Sequence, residues 1–214
     1  MGAIADRDEV FALTPRSDGL AVLEFASRGA WEAWLSESHA ASPGVWLKIA
    51  KKGAPIPTVT YEDALLGAIA HGWIDGQKGP LDRAFWLQRF TPRKPGSQWS
   101  KQNCDRALAL IEKGEMHPAG QREVEAARAD GRWGRAYEGQ ATATVPDDLR
   151  AALAAEPSAA AFFEGLDRLN RYAVLYRIQS LTTPAARARR IARYVAMLAA
   201  GETIYPSKEP RRPS

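Results

Sequence analysis

The spacing of apolar positions in the first half of the chain predicts both helices and strands. Trp31, Trp34 and Leu35 follow one another at i, i+3 and i+4, which is typical of a helix with one buried face. Alternating apolar residues over 45–51 predict a strand, because successive side chains of a strand point to opposite sides. A second helix is predicted after Thr60, where the sequence has the spacing of a capping box.

A short strand at 73–77 and a second, aromatic strand at 85–90 predict an antiparallel hairpin because a turn containing Gly and Pro separates them. Together, the three strands and two helices predict an α+β fold, in which a small antiparallel sheet of about three strands packs with helices. Further helices are predicted to begin at Ser97 or Ser100 and at Pro118.

The C-terminal third of the chain predicts helices only, since apolar positions recur at helical spacing between residues 149 and 198. We therefore expect an α+β domain at residues 20–140 and an all-helical region at 145–202. Flexible ends are expected at 1–19 and 203–214 because these segments lack a periodic apolar pattern. The sequence leaves open whether the two regions share one core.

The composition is that of a globular protein, with 45% apolar and 25% charged residues and a net charge of +4. No apolar run approaches the roughly 18 residues of a membrane helix, so membrane insertion is not expected. The first six residues lack the pattern of a secretory signal, and the single cysteine, Cys104, excludes an internal disulfide. These features favour a cytoplasmic protein and leave its oligomeric state open.

The densest group of polar and aromatic residues lies between residues 73 and 103. Its cations precede a predicted helix start, where free backbone N–H groups and the helix dipole favour an anion. We expect Asp75 to orient the arginines and two tryptophans to form walls, although cap-forming serines, solvated cations and core tryptophans explain the same pattern. The predicted ligand-binding residues are Trp73, Asp75, Arg89, Arg93, Lys94, Ser97, Trp99, Ser100 and Asn103.

A catalytic interpretation of the same region centres on Asp75, which follows an apolar pair at a predicted strand end. A carboxylate placed there can act as a general acid or base, with Tyr61, Glu62 or His71 assisting. The alternatives are a salt bridge to a nearby arginine for Asp75, and stabilisation by the helix dipole for His71.

Sequence motifs for metals and cofactors are absent. His39, His71 and His117 show no ligand spacing, and neither a phosphate-binding glycine loop nor a serine-hydrolase motif occurs, so no metal and no cofactor is predicted. From Arg168 to Gly201 there are seven arginines and no acidic residue. Such helices can bind nucleic-acid phosphates, but a solvated face or pairing with acidic segments is the preferred explanation.

Several motifs occur in order along the chain, and they include Trp31-x-x-Trp34-Leu35, Gly72-Trp73-Ile74-Asp75-Gly76, Arg89-Phe90-Thr91-Pro92-Arg93 and Ser97-x-Trp99-Ser100-x-x-Asn103. With them, the chain resembles the bacterial YdeI/OmpD-associated family, also called bacteriocin-protection proteins. The segment from Val145-Pro146-x-Asp148-Leu149 to Arg187-x-Arg189-Arg190-Ile191 is similar to the helical OmdA-type domain of that family.

The resemblance implies a role in protection against bacteriocins or antimicrobial peptides, and it supplies no catalytic residues. It also implies an N-terminal α+β domain similar to YjbR and CyaY. We therefore expect a protein that binds a small anionic or peptide ligand. One alternative is an uncharacterised enzyme that uses Asp75, and a second is nucleic-acid binding through the arginine-rich helices.

Overall fold

The computed structural model describes the backbone of residues 11–13 and all atoms of residues 16–206. The chain divides into two compact units that are not contiguous in sequence. Unit 1 contains the described residues up to 97 together with 103–134. Unit 2 contains residues 98–102 together with the described residues from 135 onward.

Unit 1 is built on a mixed five-stranded sheet with the order β1-β2-β3-β5-β4. Its strands are β1 (Phe11–Leu13), β2 (Ala21–Glu24), β3 (Val45–Ala50), β4 (Trp73–Pro80) and β5 (Phe85–Pro92). β2 and β3 are parallel, whereas the other neighbours are antiparallel. The expected antiparallel sheet of about three strands was therefore too small, since the short strands β1 and β2 have little periodicity.

Eight helices lie within the described residues, and the α+β class is confirmed. They are α1 (Arg28–Ser38), α2 (Tyr61–Ala70), α3 (Lys101–Glu112), α4 (Pro118–Ala129), α5 (Asp147–Ala154), α6 (Pro157–Glu164), α7 (Arg168–Gln179) and α8 (Pro184–Ala199). Helix α1 connects β2 to the parallel strand β3, as a parallel pair requires a crossover. Helix α3 begins in unit 2 and continues into unit 1.

The two faces of the sheet have different partners. Phe90 of β5 lies opposite Val45 of β3, and its ring is 5.9 Å from that of Trp31 on α1. Trp31 also donates from Nε1 to the Ala64 carbonyl on α2, which ties the two helices together on this face. The opposite face carries a smaller buried cluster that contains Trp46 and Leu87.

Local hydrogen bonds explain where helix α2 begins and ends. The Thr60 hydroxyl oxygen accepts from the Asp63 N–H, and the hydroxyl donates to the Asp63 carboxylate at 2.7 Å. This confirms the cap predicted from the sequence. The helix stops before Gly72, whose φ of 77° lies in the left-handed region that favours glycine.

Unit 2 has its own apolar core, formed where α5, α6, α7 and α8 meet. Fully buried side chains from each of these helices contribute to it, including Leu149, Phe163, Val174 and Leu198. The flexible ends expected at 1–19 and 203–214 fall partly outside the described residues. Within the described part, β1 is a strand and the backbone N–H of Gly19 closes a turn by donating to the Arg16 carbonyl.

Candidate ligand-binding site

Trp73 belongs to the core of unit 1 and does not form a pocket wall as expected. Its side chain is only 1% exposed, and Nε1 donates to the His39 carbonyl at 3.1 Å. Trp31 and Trp34 both contact its ring in edge-on geometry. The ring contacts and this hydrogen bond therefore account for the burial of Trp73 without a ligand.

Asp75 does not orient Arg89, because the two side chains lie on opposite faces of the sheet. Asp75 of β4 lies opposite Phe90 of β5. Because neighbouring side chains of a strand point to opposite faces of the sheet, Arg89 points away from Asp75. The Arg89 Nε lies 3.5 Å from a carboxylate oxygen of Asp18, which also accepts from Nε1 of Trp46. The expected Asp75–Arg89 arrangement is therefore wrong.

The structure places the residues of the expected anion site in different surroundings. Arg93 is 6% exposed, and its backbone N–H donates to the Gly72 carbonyl, whereas the Lys94 side chain is exposed. The Ser97 hydroxyl accepts from the backbone N–H of Lys94 at 2.9 Å and thus closes a turn instead of capping a helix. Helix α3 begins at Lys101, directly after Ser100, which is one of the two predicted starts.

The predicted ligand set is moreover divided between the two units. Trp99 and Ser100 belong to unit 2, in which Ser100 forms an isolated bridge with Tyr137. Asn103 belongs to unit 1 and accepts from Nη1 of Arg106 at 3.3 Å. Residues that are close in sequence here belong to separate units, which a linear pattern does not reveal.

The structure does bring together three of the four catalytic candidates. The Tyr61 hydroxyl donates to the Asp75 carboxylate at 2.9 Å. Arg106 donates to both carboxylate oxygens of Glu62, at 2.8 and 3.1 Å. We call Tyr61, Glu62, Asp75, Asn103 and Arg106 the polar cluster. Arg106 was not predicted as a site residue from the sequence. Its position one turn after Asn103 on a predicted helix indicates that the two side chains are neighbours.

Electrostatics hold Tyr61 in its neutral form. Burial raises the pKa of its phenol above the ordinary value, and the neighbouring charge of Asp75 raises this pKa further. The hydrogen bond to Glu62 raises the pKa of Arg106, so this cation stays charged beside the two carboxylates. Tyr61 is therefore a fixed hydrogen-bonding group and a poor proton donor at neutral pH.

A cleft of about 400 Å³ lies beside the polar cluster and shares Tyr61 with it. The ring of Trp86 lies 6.0 Å from that of Tyr61 between centroids. Lys78 Nζ is 4.1 Å from the centroid of the Trp86 ring, which shows that this indole accepts a cation. The lining is mainly apolar and aromatic and carries one cation, Lys52. It also includes Ile49, Ile56, Thr58, Val59, Tyr61 and Trp86.

His71 lies at the opposite end of helix α2 from Tyr61 and joins the other two histidines. The ring centroids of His71 and His117 are 4.7 Å apart, and those of His39 and His117 are 4.9 Å apart. Each imidazole lies at the end of a different helix, α1, α2 or α4. The sequence spacing does not predict this group of three histidines, because they are far apart along the chain.

Backbone groups occupy one nitrogen of each imidazole. Nδ1 of His39 and of His71 donate to carbonyls of their own helices, and Nδ1 of His117 accepts from the Ala119 N–H. Burial lowers the pKa of His71 and of His117 below the ordinary value, and the neighbouring histidines lower both further. Within the described residues, no group of three His, Cys, Asp or Glu side chains is placed to hold a metal ion.

Several arginines of the C-terminal region bind groups of unit 2. Arg187 makes an ion pair with Asp148 and donates to the Ile178 carbonyl at 3.0 Å. Arg177 donates to the Tyr205 hydroxyl at 3.2 Å. These contacts restrain side chains that would otherwise be available to phosphates. None of the helices within the described part of the chain combines the length and the apolar character needed to cross a membrane.

Two family models match the chain. Residues 142–201 match the OmdA family, described as "Bacteriocin-protection, YdeI or OmpD-Associated". This confirms the resemblance predicted from its motifs, and the matched OmdA segment lies inside unit 2. Residues 23–123 match a domain of unknown function, DUF8412. Neither a curated protein nor a solved structure matches the chain significantly.

Proposed function

We propose that the protein protects cells against bacteriocins or antimicrobial peptides by binding a peptide in the cleft beside Tyr61. The description of the OmdA family supports the protective role. The observation that carries the binding role is that Tyr61 belongs both to the apolar cleft and to a cluster with two carboxylates. Peptides that combine apolar and cationic side chains have the matching chemistry.

The two halves of the site have separate tasks. The apolar and aromatic lining of the cleft takes an apolar side chain of the peptide, with Trp86 at one wall. Asp75 fixes the Tyr61 phenol, whose oxygen then accepts a hydrogen bond from a lysine or arginine of the ligand. The second oxygen of the Asp75 carboxylate has no hydrogen bond to any described residue, so it is available to the same cation.

Binding is better supported than acid–base catalysis or nucleic-acid recognition. The raised pKa of Tyr61 opposes proton transfer at neutral pH, and His71 lies at the other end of α2. Arg177 and Arg187, two of the cations considered for nucleic-acid binding, already contact Tyr205 and Asp148. A cytoplasmic location agrees with the buried free thiol of Cys104, because reducing compartments keep thiols unpaired.

Calorimetric titration with a synthetic amphipathic peptide of leucine and lysine tests the site. We expect Trp86→Ala and Asp75→Asn each to weaken binding about tenfold, and Tyr61→Phe, which removes only a hydroxyl, to weaken it about threefold. The control Lys113→Ala removes an exposed charge elsewhere in unit 1 and is expected to change nothing.

A matched peptide in which glutamine replaces lysine checks the role of charge. It is expected to bind weakly to the unaltered protein and to show no further loss with Asp75→Asn. Equal affinity of both peptides for all four variants, each confirmed as folded by circular dichroism, would exclude the cleft as the binding site. Survival of cells that produce each variant, challenged with a bacteriocin, then connects binding to protection.

A further inference from the structure

A second cavity lies inside unit 2 and has a different character from the cleft. Its volume is about 360 Å³, and it lies between the start of α7 and the segment that precedes α5. The lining includes Gln140, Ala143, Arg168, Arg171, Tyr172 and Leu175. Two arginines and a glutamine therefore line one small cavity together with apolar side chains.

The two arginines differ in how firmly they are held. Arg171 lies 4.4 Å from the centre of the Phe163 ring and donates to the Phe163 carbonyl at 3.4 Å. Arg168 is exposed and has no hydrogen bond or ion pair with any described residue. The Arg171 guanidinium is thus positioned in advance, whereas the Arg168 side chain is available to contact a ligand.

Acidic residues near the cavity leave an excess of positive charge. Glu164 lies 3.8 Å from Arg171, but its side chain is 75% exposed and the pair is correspondingly weak. Asp167 accepts from the backbone and the side-chain amide of Asn170, at 2.8 and 3.0 Å, and so caps helix α7. Neither Glu164 nor Asp167 lines the cavity.

We propose that this cavity of the OmdA unit binds a small organic anion, with a carboxylate or phosphate group against Arg168 and Arg171. Arginine pairs bind such groups through charge-assisted hydrogen bonds, and the amide of Gln140 supplies a further donor. Ala143 and Leu175 provide an apolar surface that an inorganic ion does not need, so the anionic group is carried on an apolar body. The inference is independent of the peptide cleft, which lies in unit 1.

Titration of the full chain with benzoate, phenyl phosphate and benzamide tests this proposal. The three probes share a phenyl ring, but only the first two carry a negative charge. At least one of the two anions is expected to bind about tenfold or more tightly than benzamide, and the comparison between them identifies the preferred group. If neither anion exceeds benzamide, the proposal is wrong.

Substitutions locate the site. Arg168→Ala is expected to weaken binding of the preferred anion about tenfold, and Arg168→Lys is expected to restore part of it. Arg171→Lys keeps the charge near Phe163 while removing the planar fork, and a loss of several-fold is expected there. Arg189→Ala removes an exposed charge of α8 as the control. Equal losses in the Arg168 and Arg189 variants would overturn the assignment.

Discussion

Gly120 lies where helix α4 approaches the last turn of helix α2. A Cβ atom at this position would lie 2.7 Å from the Ile69 carbonyl oxygen and even closer to that of Ala70. Both atoms belong to the backbone of α2 and cannot rotate away. Close approach of these two helices therefore requires glycine at this position of α4.

Gly120→Ala is expected to lower the free energy of unfolding by about 2–3 kcal/mol, because the added methyl group overpacks the contact. The matched control is Gly29→Ala in helix α1, where the nearest atom to the new Cβ is the Ser27 Oγ at 3.9 Å. The control is expected to be neutral or to stabilise by up to about 1 kcal/mol. Urea unfolding measures both, and equal midpoints for the two variants would contradict the prediction.

Strand geometry explains which single residues of the site were predictable. Tyr61, Glu62 and Asp75 were predicted and lie in one cluster, because the cap of α2 fixes the first two and β4 carries Asp75 as its third residue rather than at its end. Arg89 was misassigned because neighbouring residues of a strand point to opposite faces, and the register of β4 against β5 decides which face. That register depends on a bulge after Asp75 that the sequence does not reveal.

At the scale of elements, the ends of α1, α2 and α4 meet through their three histidines. Glu32 favours the charged form of His71, whereas Arg122 opposes that of His117, and burial opposes both. Since the folded-state pKa values of His71 and His117 lie below the ordinary value, the unfolded chain binds protons first as the pH falls. Stability therefore decreases as the pH falls below about 6.5, and it levels off once the folded-state pKa values are passed.

His117→Asn is expected to reduce this loss of stability at acidic pH, because asparagine keeps a capping side chain at α4 and does not titrate. The measurement is the urea midpoint between about pH 5 and pH 7.5 for both proteins. Identical pH profiles would show that His117 does not contribute to the effect. His39→Gln provides a comparison, as its ring contacts that of His117.

Elements with a strong periodic pattern were predictable, and short ones were not. Helices α1 and α2 follow directly from apolar spacing and caps, as do β3 and the hairpin of β4 and β5. Strands β1 and β2 have only three and four residues, too few for a pattern to emerge. The parallel pairing of β2 with β3 is set by tertiary packing, which the local sequence pattern does not show.

At the scale of the whole molecule, Glu138 connects the two separate segments of unit 2. Its carboxylate accepts from Lys101 Nζ at 2.7 Å and from the Thr144 backbone N–H at 2.9 Å. The hydrogen bond from Lys101 is the main reason that the pKa of Glu138 lies below its ordinary value. The ionised carboxylate therefore stabilises the fold above the ordinary pKa, and this contribution is lost as the pH falls through the folded-state pKa.

Glu138→Gln is expected to lower the free energy of unfolding by about 1–2 kcal/mol at neutral pH, because an amide replaces a charge-assisted acceptor. The difference from the unaltered protein is expected to disappear at strongly acidic pH. Glu202→Gln, which changes an exposed glutamate of the same unit, serves as the control. A loss that persists unchanged at low pH would contradict the role of the ionised carboxylate.

The divided make-up of unit 2 imposes an order of events during synthesis. The ribosome delivers residues 98–102 first and reaches residue 135 roughly 2 to 7 s later at typical elongation rates. In the folded protein Trp99 is 1% exposed and its carbonyl accepts from the Tyr137 N–H. A chain that ends before Tyr137 lacks the N–H that pairs with the Trp99 carbonyl, so the segment 98–102 completes its backbone pairing only after both pieces of unit 2 have been made.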